Sequence, residues 1–422
     1  MGLGTQAVHS QKYNPHDLSF HGYFRTGLGQ TDGEQMVDFA TPDNVHKFRM
    51  GNEANHYAEL QFNYQFKDKD SVALYEAVYM MSKYIPFGSS NNGQFPETAQ
   101  LYGKINKLVN NANVWVGKRY YDRRNVESLD YFWINSGQNA EVGFGIENFE
   151  LKKSGKLHLA FFQFSYPNKI DADKSANSYT ADLRYTDVPV TENSKLNFVA
   201  QYSQKQKDEV LNLPSTNGFA VGSWHTYSKN HITNTATVLY RKGSSIVESP
   251  YSGKTISELS HDTRMYDLDK AHSFDVINNF VYDDKTRHAV QASLTYQHRN
   301  YGIGNVDDKG MIIDFHKSKD FFSVGFRYMY YISKHFNLAV EAGNDYMKST
   351  KSGLEGSLQK VTFSPQITWD YGYYSRPVIR PFVTYAHWSD DFRGITGVSA
   401  FNTKLKDKNQ AISYGLQLEM WW

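Results

Sequence analysis

The last twelve residues alternate without a break. Ile412, Tyr414, Leu416, Leu418, Met420 and Trp422 fall on one face of an extended chain, and Ala411, Ser413, Gly415, Gln417, Glu419 and Trp421 on the other. A period of two with one apolar and one largely polar face is the signature of a half-buried strand. The pattern recurs along the chain. Leu18, Phe20, Phe24 and Leu28 oppose Ser19, His21, Tyr23 and Arg25. Phe48, Met50, Ala54, Ala58, Leu60, Phe62, Tyr64 and Phe66 oppose Arg49, Glu53, Asn55, Tyr57, Glu59, Gln61, Asn63 and Gln65. Leu196 to Ser203, Val290 to Gln297, Phe322 to Tyr330, Phe336 to Gly343 and Lys360 to Trp369 alternate likewise.

Several of these runs approach or exceed the length of about ten residues that a tilted strand needs to cross a bilayer. Short turns such as Lys334-His335 and Asp283 to Arg287 join some of them. Longer polar stretches join others: Gly88 to Gln94, Lys205 to Gly218, Ser244 to His272 and Asp390 to Gln410. Short turns at one end and long loops at the other is the plan of an outer-membrane barrel, and roughly 18 to 20 candidate strands fit between residue 18 and the C-terminus. A soluble sandwich, propeller or β-helix also alternates, but its strands are usually about 5 to 6 residues long, and no repeat of fixed period appears here.

Composition supports the barrel. Tyr (31), Phe (27) and Trp (7) reach 15% of the 422 residues, against 11 Pro and 10 Met. Aromatic excess in a chain of soluble-like hydropathy fits aromatic girdles outside and a polar lumen inside. No run of 18 apolar residues exists, which excludes a helical membrane protein. Forty-five basic against 44 acidic residues give a formal charge of +1 and argue against nucleic acid as a partner. The absence of Cys removes disulfides, thiolate metal sites and a cysteine nucleophile. Met1 to Phe20 lacks the apolar stretch of about 7 to 15 residues that a signal peptide needs, which fits a cytoplasmic protein or, as the barrel pattern favours, a mature form restarted at a Met.

Little in the sequence suggests bond-making chemistry. There is no P-loop, dinucleotide fingerprint, H-E-x-x-H, G-x-S-x-G or EF-hand loop. The fifteen His are scattered, so no metal and no cofactor are expected. Asp307-Asp308 and Asp390-Asp391 read as solvated loop carboxylates.

The polar face carries the anomaly. Tyr23, Tyr57 and Trp421 sit there among Arg25, Arg49, Glu53 and Glu59. Pyranose rings offer apolar C–H faces that stack on aromatics and hydroxyls that bond Arg and carboxylates, so such a lining suits a sugar path. The same rings could equally fill space against inward loops. The segment Lys118 to Trp133 is dense in charges and aromatics and loses alternation after Tyr121. It reads as a loop folded into the channel.

At these residues the chain resembles the maltoporin (LamB-type) family of sugar-specific porins. The resemblance is carried by Phe20-His21-Gly22-Tyr23 with Arg25, by Lys47-Phe48-Arg49-Met50-Gly51-Asn52-Glu53, and by Tyr57-Ala58-Glu59-Leu60. Val116-Gly117-Lys118-Arg119, Ser375-Arg376-Pro377, Thr384-Tyr385-Ala386 and the closing Leu418-Glu419-Met420-Trp421-Trp422 continue it in order, while residues 169 to 360 diverge. It implies an all-β fold: an 18-stranded antiparallel transmembrane β-barrel spanning 18–422, with a third loop folded inward and residues 1–17 as an N-terminal extension. It implies a homotrimer in the outer membrane of a Gram-negative bacterium. The aromatic slide it implies comprises Tyr23, Tyr57, Tyr374 and Trp421. The polar track comprises Arg25, Arg49, Glu59, Arg123 and Asp130, and the constriction position is Phe132.

Departures from the family pattern are specific. Phe132 stands where a tyrosine is usual, Tyr374 where a tryptophan is, and Glu97 where a track arginine is. Asn125 and Glu127 replace two inward-loop residues. The mid-chain slide position falls near Val221, with Phe219 and Trp224 as neighbours, and the second-loop aromatic is Tyr84 or Phe87. The expectation is passive, facilitated diffusion of oligosaccharides, maltodextrin-like or other glycosides, through a non-enzymatic channel. A porin that selects by size and charge alone, an outer-membrane barrel enzyme and a soluble β-rich carbohydrate enzyme are the alternatives. Long loops could also receive phage or toxins.

Overall fold

A computed structural model describes residues 16–42, 47–67, 73–89, 96–137, 140–152, 154–167, 175–207, 215–249, 254–255, 270–300, 302, 305–306, 312–314, 318–350, 352–395 and 405–422. Eighteen long strands follow one another in the chain. They are β1 His16–Thr31, β2 Asn55–Lys67, β3 Ala73–Pro86, β4 Glu97–Ile105, β5 Asn113–Lys118 and β6 Val142–Leu151. Next come β7 Gly155–Pro167, β8 Ser175–Thr191, β9 Ser194–Lys205, β10 Thr216–Lys229, β11 Ile232–Gly243 and β12 His272–Asp283. The last six are β13 His288–Asn300, β14 Ser318–Ser333, β15 Phe336–Ser349, β16 Leu354–Thr368, β17 Val378–Trp388 and β18 Gln410–Trp421.

Each strand pairs antiparallel with its chain neighbours, and β1 closes the sheet on β18 through Tyr23↔Trp421 to Thr31↔Ser413. The sheet counts 19 members, of which the two-residue Glu34–Gln35 is a spur on β1, leaving a closed 18-stranded barrel. Closure is what makes the alternation tolerable. No strand edge is left unpaired in a medium that offers no hydrogen bonds. Outward side chains such as Leu18, Leu28, Leu101, Val116, Ile367 and Leu416 are exposed, whereas Ser413, Gln417 and Glu419 on the opposite face of β18 are buried.

The N-terminal extension falls outside the described residues up to 15, and β1 already begins at His16. Asp307-Asp308 and most of the long connections, including 90–95, 208–214, 256–269 and 396–404, also lie outside them. The turn at Asp284 is built by its own side chain. Oδ1 accepts from the backbone N–H groups of Thr286 (2.8 Å), Arg287 (2.7 Å) and His288 (2.9 Å). Slight desolvation opposes ionisation there. The three N–H donors outweigh it and hold the carboxyl well below the usual range.

One reading from alternation is corrected. Phe48 and Met50 are not outward strand residues; both are buried, and β2 starts only at Asn55. They belong to the first long loop, between β1 and β2, whose described residues 47–54 lie against the inner wall. The Phe48 ring lies against the facing pair Gly325 and Gly343 of β14 and β15, where a Cβ on either glycine would collide with it. Gly51, at φ +60°, reverses the chain beside Thr384. Period-two spacing survived in this loop because alternate side chains meet the wall and the cavity, not lipid and lumen.

The third long loop holds a hairpin, Tyr121–Val126 paired with Tyr131–Ser136, joined through Glu127–Leu129 and a left-handed Asp130. Its apolar side is packed. Phe48, Val126, Leu129, Tyr131, Trp133 and Ile134 form one buried cluster with Val199, Trp224, Leu239 and Ile277 of the wall. The first loop zips onto its tip, where Lys47 N–H donates to Leu129 O (3.3 Å) and Arg49 N–H to Ser128 O (3.0 Å). The space enclosed by the barrel therefore has its own hydrophobic core, supplied by loops.

Candidate functional site

Register sets up the site. Tyr84 of β3 pairs with Tyr57 of β2, which pairs with Arg25 of β1. Two residues from Arg25, on the same face, is Tyr23, which pairs with Trp421 of β18. Rings on four adjacent strands thus form an oblique line along the inner wall, because same-face neighbours recur every second residue. Tyr23 and Trp421 stack at 6.4 Å and 20°, and Tyr23 and Tyr57 lie 5.9 Å apart. The connection between β16 and β17, residues 369–377, adds Tyr374, which stands edge-on to Tyr373 at 4.8 Å. Tyr373 is buried and fixed, with its hydroxyl donating to Gln291 (2.5 Å) and its N–H to Asp283 (2.8 Å).

A cavity of about 610 Å³ runs along these rings. Tyr23, Tyr57, Tyr374, Trp421, Arg25, Arg49, Glu59, Arg123, Asp130 and Phe132 all line it, together with Tyr84, Asn125 and Glu127. Ten residues named from sequence thus come together from β1, β2, β18, both inward loops and one turn. Phe87, the other second-loop candidate, packs on His56 instead (4.9 Å). Of the mid-chain candidates, Phe219 and Val221 point outward and exposed, while Trp224 is buried edge-on to Trp133 at 5.6 Å. Glu97 is exposed at the start of β4 and does not line the cavity.

Behind the rings lies a buried charge network. Glu419 accepts from Tyr23 Oη (2.8 Å), Arg49 Nη2 (2.8 Å), Arg376 Nε (2.9 Å) and Arg380 Nη2 (2.7 Å). Glu53 accepts from Arg25 (2.5 Å), Arg49 (3.0 Å) and Gln417 (2.8 Å). At the hairpin tip, Glu127 meets Arg49 (3.1 Å) and Arg327 (3.1 Å), with Arg376 at 3.5 Å. Arg376 also covers the Trp421 ring at 4.2 Å. Pairing of this density is what allows so many charges to be buried. It also fixes the rings, since Tyr23 and Trp421 are each clamped by groups that have little freedom to move.

Three lining groups keep bonding capacity toward the cavity. The Arg123 guanidinium lies over Tyr120 (3.9 Å) and Phe132 (4.9 Å) and makes no ion pair among the described residues. Glu59 accepts one side-chain hydrogen bond, from Tyr57 (2.7 Å). Asp130 accepts none at its carboxylate among the described residues. One donor fork and two acceptors thus face a row of rings.

The neck and flank of the hairpin are held from the far wall. Arg184 bonds Asp182 (2.8 Å), the Asp122 carbonyl (2.9 Å) and Ser136 (3.2 Å). Arg241, paired with Asp275, donates to Trp133 O (2.7 Å), and Gln297 bonds the Tyr131 hydroxyl. Sequence reasoning gave Glu341, Lys360, Arg376, Arg380 and Glu419 no role. Their signal was a charge at a polar-face or turn position, and for Arg376 and Glu419 a place in a family block, which says that a side chain points inward but not what it meets.

A closed 18-stranded barrel with an internal cavity is the architecture of an outer-membrane porin. The match to a family model settles which kind. The LamB porin family model covers residues 18–422, and the chain belongs to that family. Its place is the outer membrane. Among solved structures, it is similar to OpdK of Pseudomonas aeruginosa, crystallised with vanillate, at 12% identity and TM-score 0.47, covering 96% of this chain and 98% of that one. OccAB2 of Acinetobacter baumannii matches at 10% identity and TM-score 0.47, over 96% and 98% of the two chains. The outer-membrane OmpT of Vibrio cholerae matches at 10% and 0.42, over 97% and 99%.

Proposed function

We propose that the channel is sugar-selective and mediates facilitated diffusion of oligosaccharides, maltodextrin-like or other glycosides, along Tyr84, Tyr57, Tyr23, Trp421 and Tyr374. The observation that carries this reading is the pairing, in one cavity, of an oblique line of rings with polar groups that retain bonding capacity. Each ring receives the apolar face of a pyranose, and each step between rings is short. Arg123 donates to sugar hydroxyls, while Glu59 and Asp130 accept from them. These exchanges replace hydration bonds, so the sugar meets a series of weak stations. Affinity at each is modest, because a site that holds its cargo tightly does not conduct it. The hairpin tip carrying Phe132 narrows this path. No bond is made or broken, and the protein acts as a homotrimer.

The test is ion current through the reconstituted protein in a planar bilayer, titrated with glucose, sucrose and a maltodextrin series. Saturable block supports the reading, and the order of half-blocking concentrations names the substrate class. Current indifferent to every sugar overturns it in favour of a porin that selects by size and charge. Gel mobility of unheated against boiled protein tests the trimer.

A further inference from the structure

We infer that Lys360 and Glu341, which line no part of the cavity, are positioning residues that set sugar affinity by fixing where the first loop holds Arg49. The inference rests on the sugar-porin reading above. Among the described residues, Arg49 alone of the cavity lining bonds all three carboxylates of the network, Glu53, Glu127 and Glu419. It also donates to the Tyr23 hydroxyl at 2.8 Å. Yet it sits on a loop, not a strand, so its place depends on what grips that loop.

The grip is on the neighbouring backbone. Met50 N–H donates to Glu341 Oε1 (3.0 Å). Met50 O accepts from Lys360 Nζ (2.8 Å) and from Thr362 Oγ1 (3.0 Å). Gly51 O accepts from Thr384 Oγ1 (3.0 Å). Lys360 and Glu341 pair with each other at 2.9 Å, and Glu341 also binds Arg327 at 2.6 Å, which in turn reaches Glu127. Glu341 and Lys360 are fully buried, and each bonds the loop as well as the wall. On the other side of Met50, Phe48 fills the slot over Gly325 and Gly343.

The residue after Arg49 is therefore held at both its N–H and its C=O by β15 and β16. Loop-borne binding groups need this kind of support, because a displacement of about 0.5 Å is enough to spoil a binding geometry. A buried ion pair alone is weak evidence for stability. One whose two members both grip a loop peptide beside a lining arginine does something a barrel wall does not require.

The experiment uses the full-length protein in planar bilayers. Lys360→Met, Thr362→Val, Arg49→Ala and the double variants with Arg49→Ala are compared by two readouts. One is the reversal potential in a KCl gradient; the other is the half-blocking concentration of maltotriose. Thr362→Val removes the bond to Met50 O, along with those to Lys360 Nζ and Thr384 Oγ1, but leaves every charge in place, so it stands in if Lys360→Met does not assemble. Lys360→Met is expected to raise the half-blocking concentration about fivefold, within the coupling range of groups in one network. It should shift the reversal potential toward that of Arg49→Ala, and both effects should vanish in the Arg49→Ala background. Thr362→Val should do the same to a smaller extent. Unchanged readouts, or shifts that add in full to those of Arg49→Ala, overturn the inference. If maltotriose does not block the unmutated channel, the sugar reading fails, and the reversal potentials alone decide the role of Lys360.

Discussion

Trp421→Ala offers the cleanest separation of binding from folding. The indole is 36% exposed, with the Tyr23 ring stacked at 6.4 Å and the Arg376 guanidinium 4.2 Å from its centroid. A pyranose face that covers about 40 Å² of the ring contributes about 1 kcal/mol at 25 cal/mol per Å². Losing it should weaken binding about fivefold, since 1.4 kcal/mol is tenfold. The fold should tolerate the change. Arg376 keeps Glu419 at 2.8 Å, and the β1–β18 ladder is backbone, so no charge is stranded. The assay is the half-blocking concentration of the best-blocking maltodextrin, with heat-dependent gel mobility as the folding control. A half-blocking concentration that does not move, in a channel that folds and is blocked before mutation, would refute stacking at this ring. A barrel that fails to assemble would refute the claim that the ring serves the lumen and not the wall.

Phe132→Ala should raise single-channel conductance, because the ring lines the cavity from the hairpin beside Arg123; unchanged conductance would remove the hairpin from the narrowest point. Deleting Trp422 should lower outer-membrane levels, since its N–H and C=O both bond Gly22 at 3.2 Å and its ring packs on Phe20 at 5.2 Å; normal levels would count against a closing role. Asp284, whose folded carboxyl titrates below its unfolded value, contributes to the β12–β13 turn fully above the unfolded pKa and loses that contribution as pH falls through the folded one. Its carboxyl resonance in detergent should titrate below those of exposed aspartates, and a coincident titration would deny the turn its three N–H donors.

The barrel wall was legible in the order of residues alone. Strict alternation, as at 411–422, states which side chains point in and which point out, because successive residues of a strand face opposite ways. It also placed Tyr23, Arg25, Tyr57, Glu59 and Trp421 on the inner face, and the family resemblance added Arg123, Asp130, Phe132 and Tyr374. What fills the barrel emerges only in the folded chain. Phe48 and Met50 alternate like strand residues, yet they wedge a loop against Gly325 and Gly343. Glu127 gathers Arg49, Arg327 and Arg376 from three distant segments. Lys360 reaches Met50 across 310 positions of chain. Period and composition carry local information only. Which loop enters the lumen, and which buried charge it finds there, depends on closure of the barrel, which brings β1 against β18 and turns all inner faces toward one enclosed space.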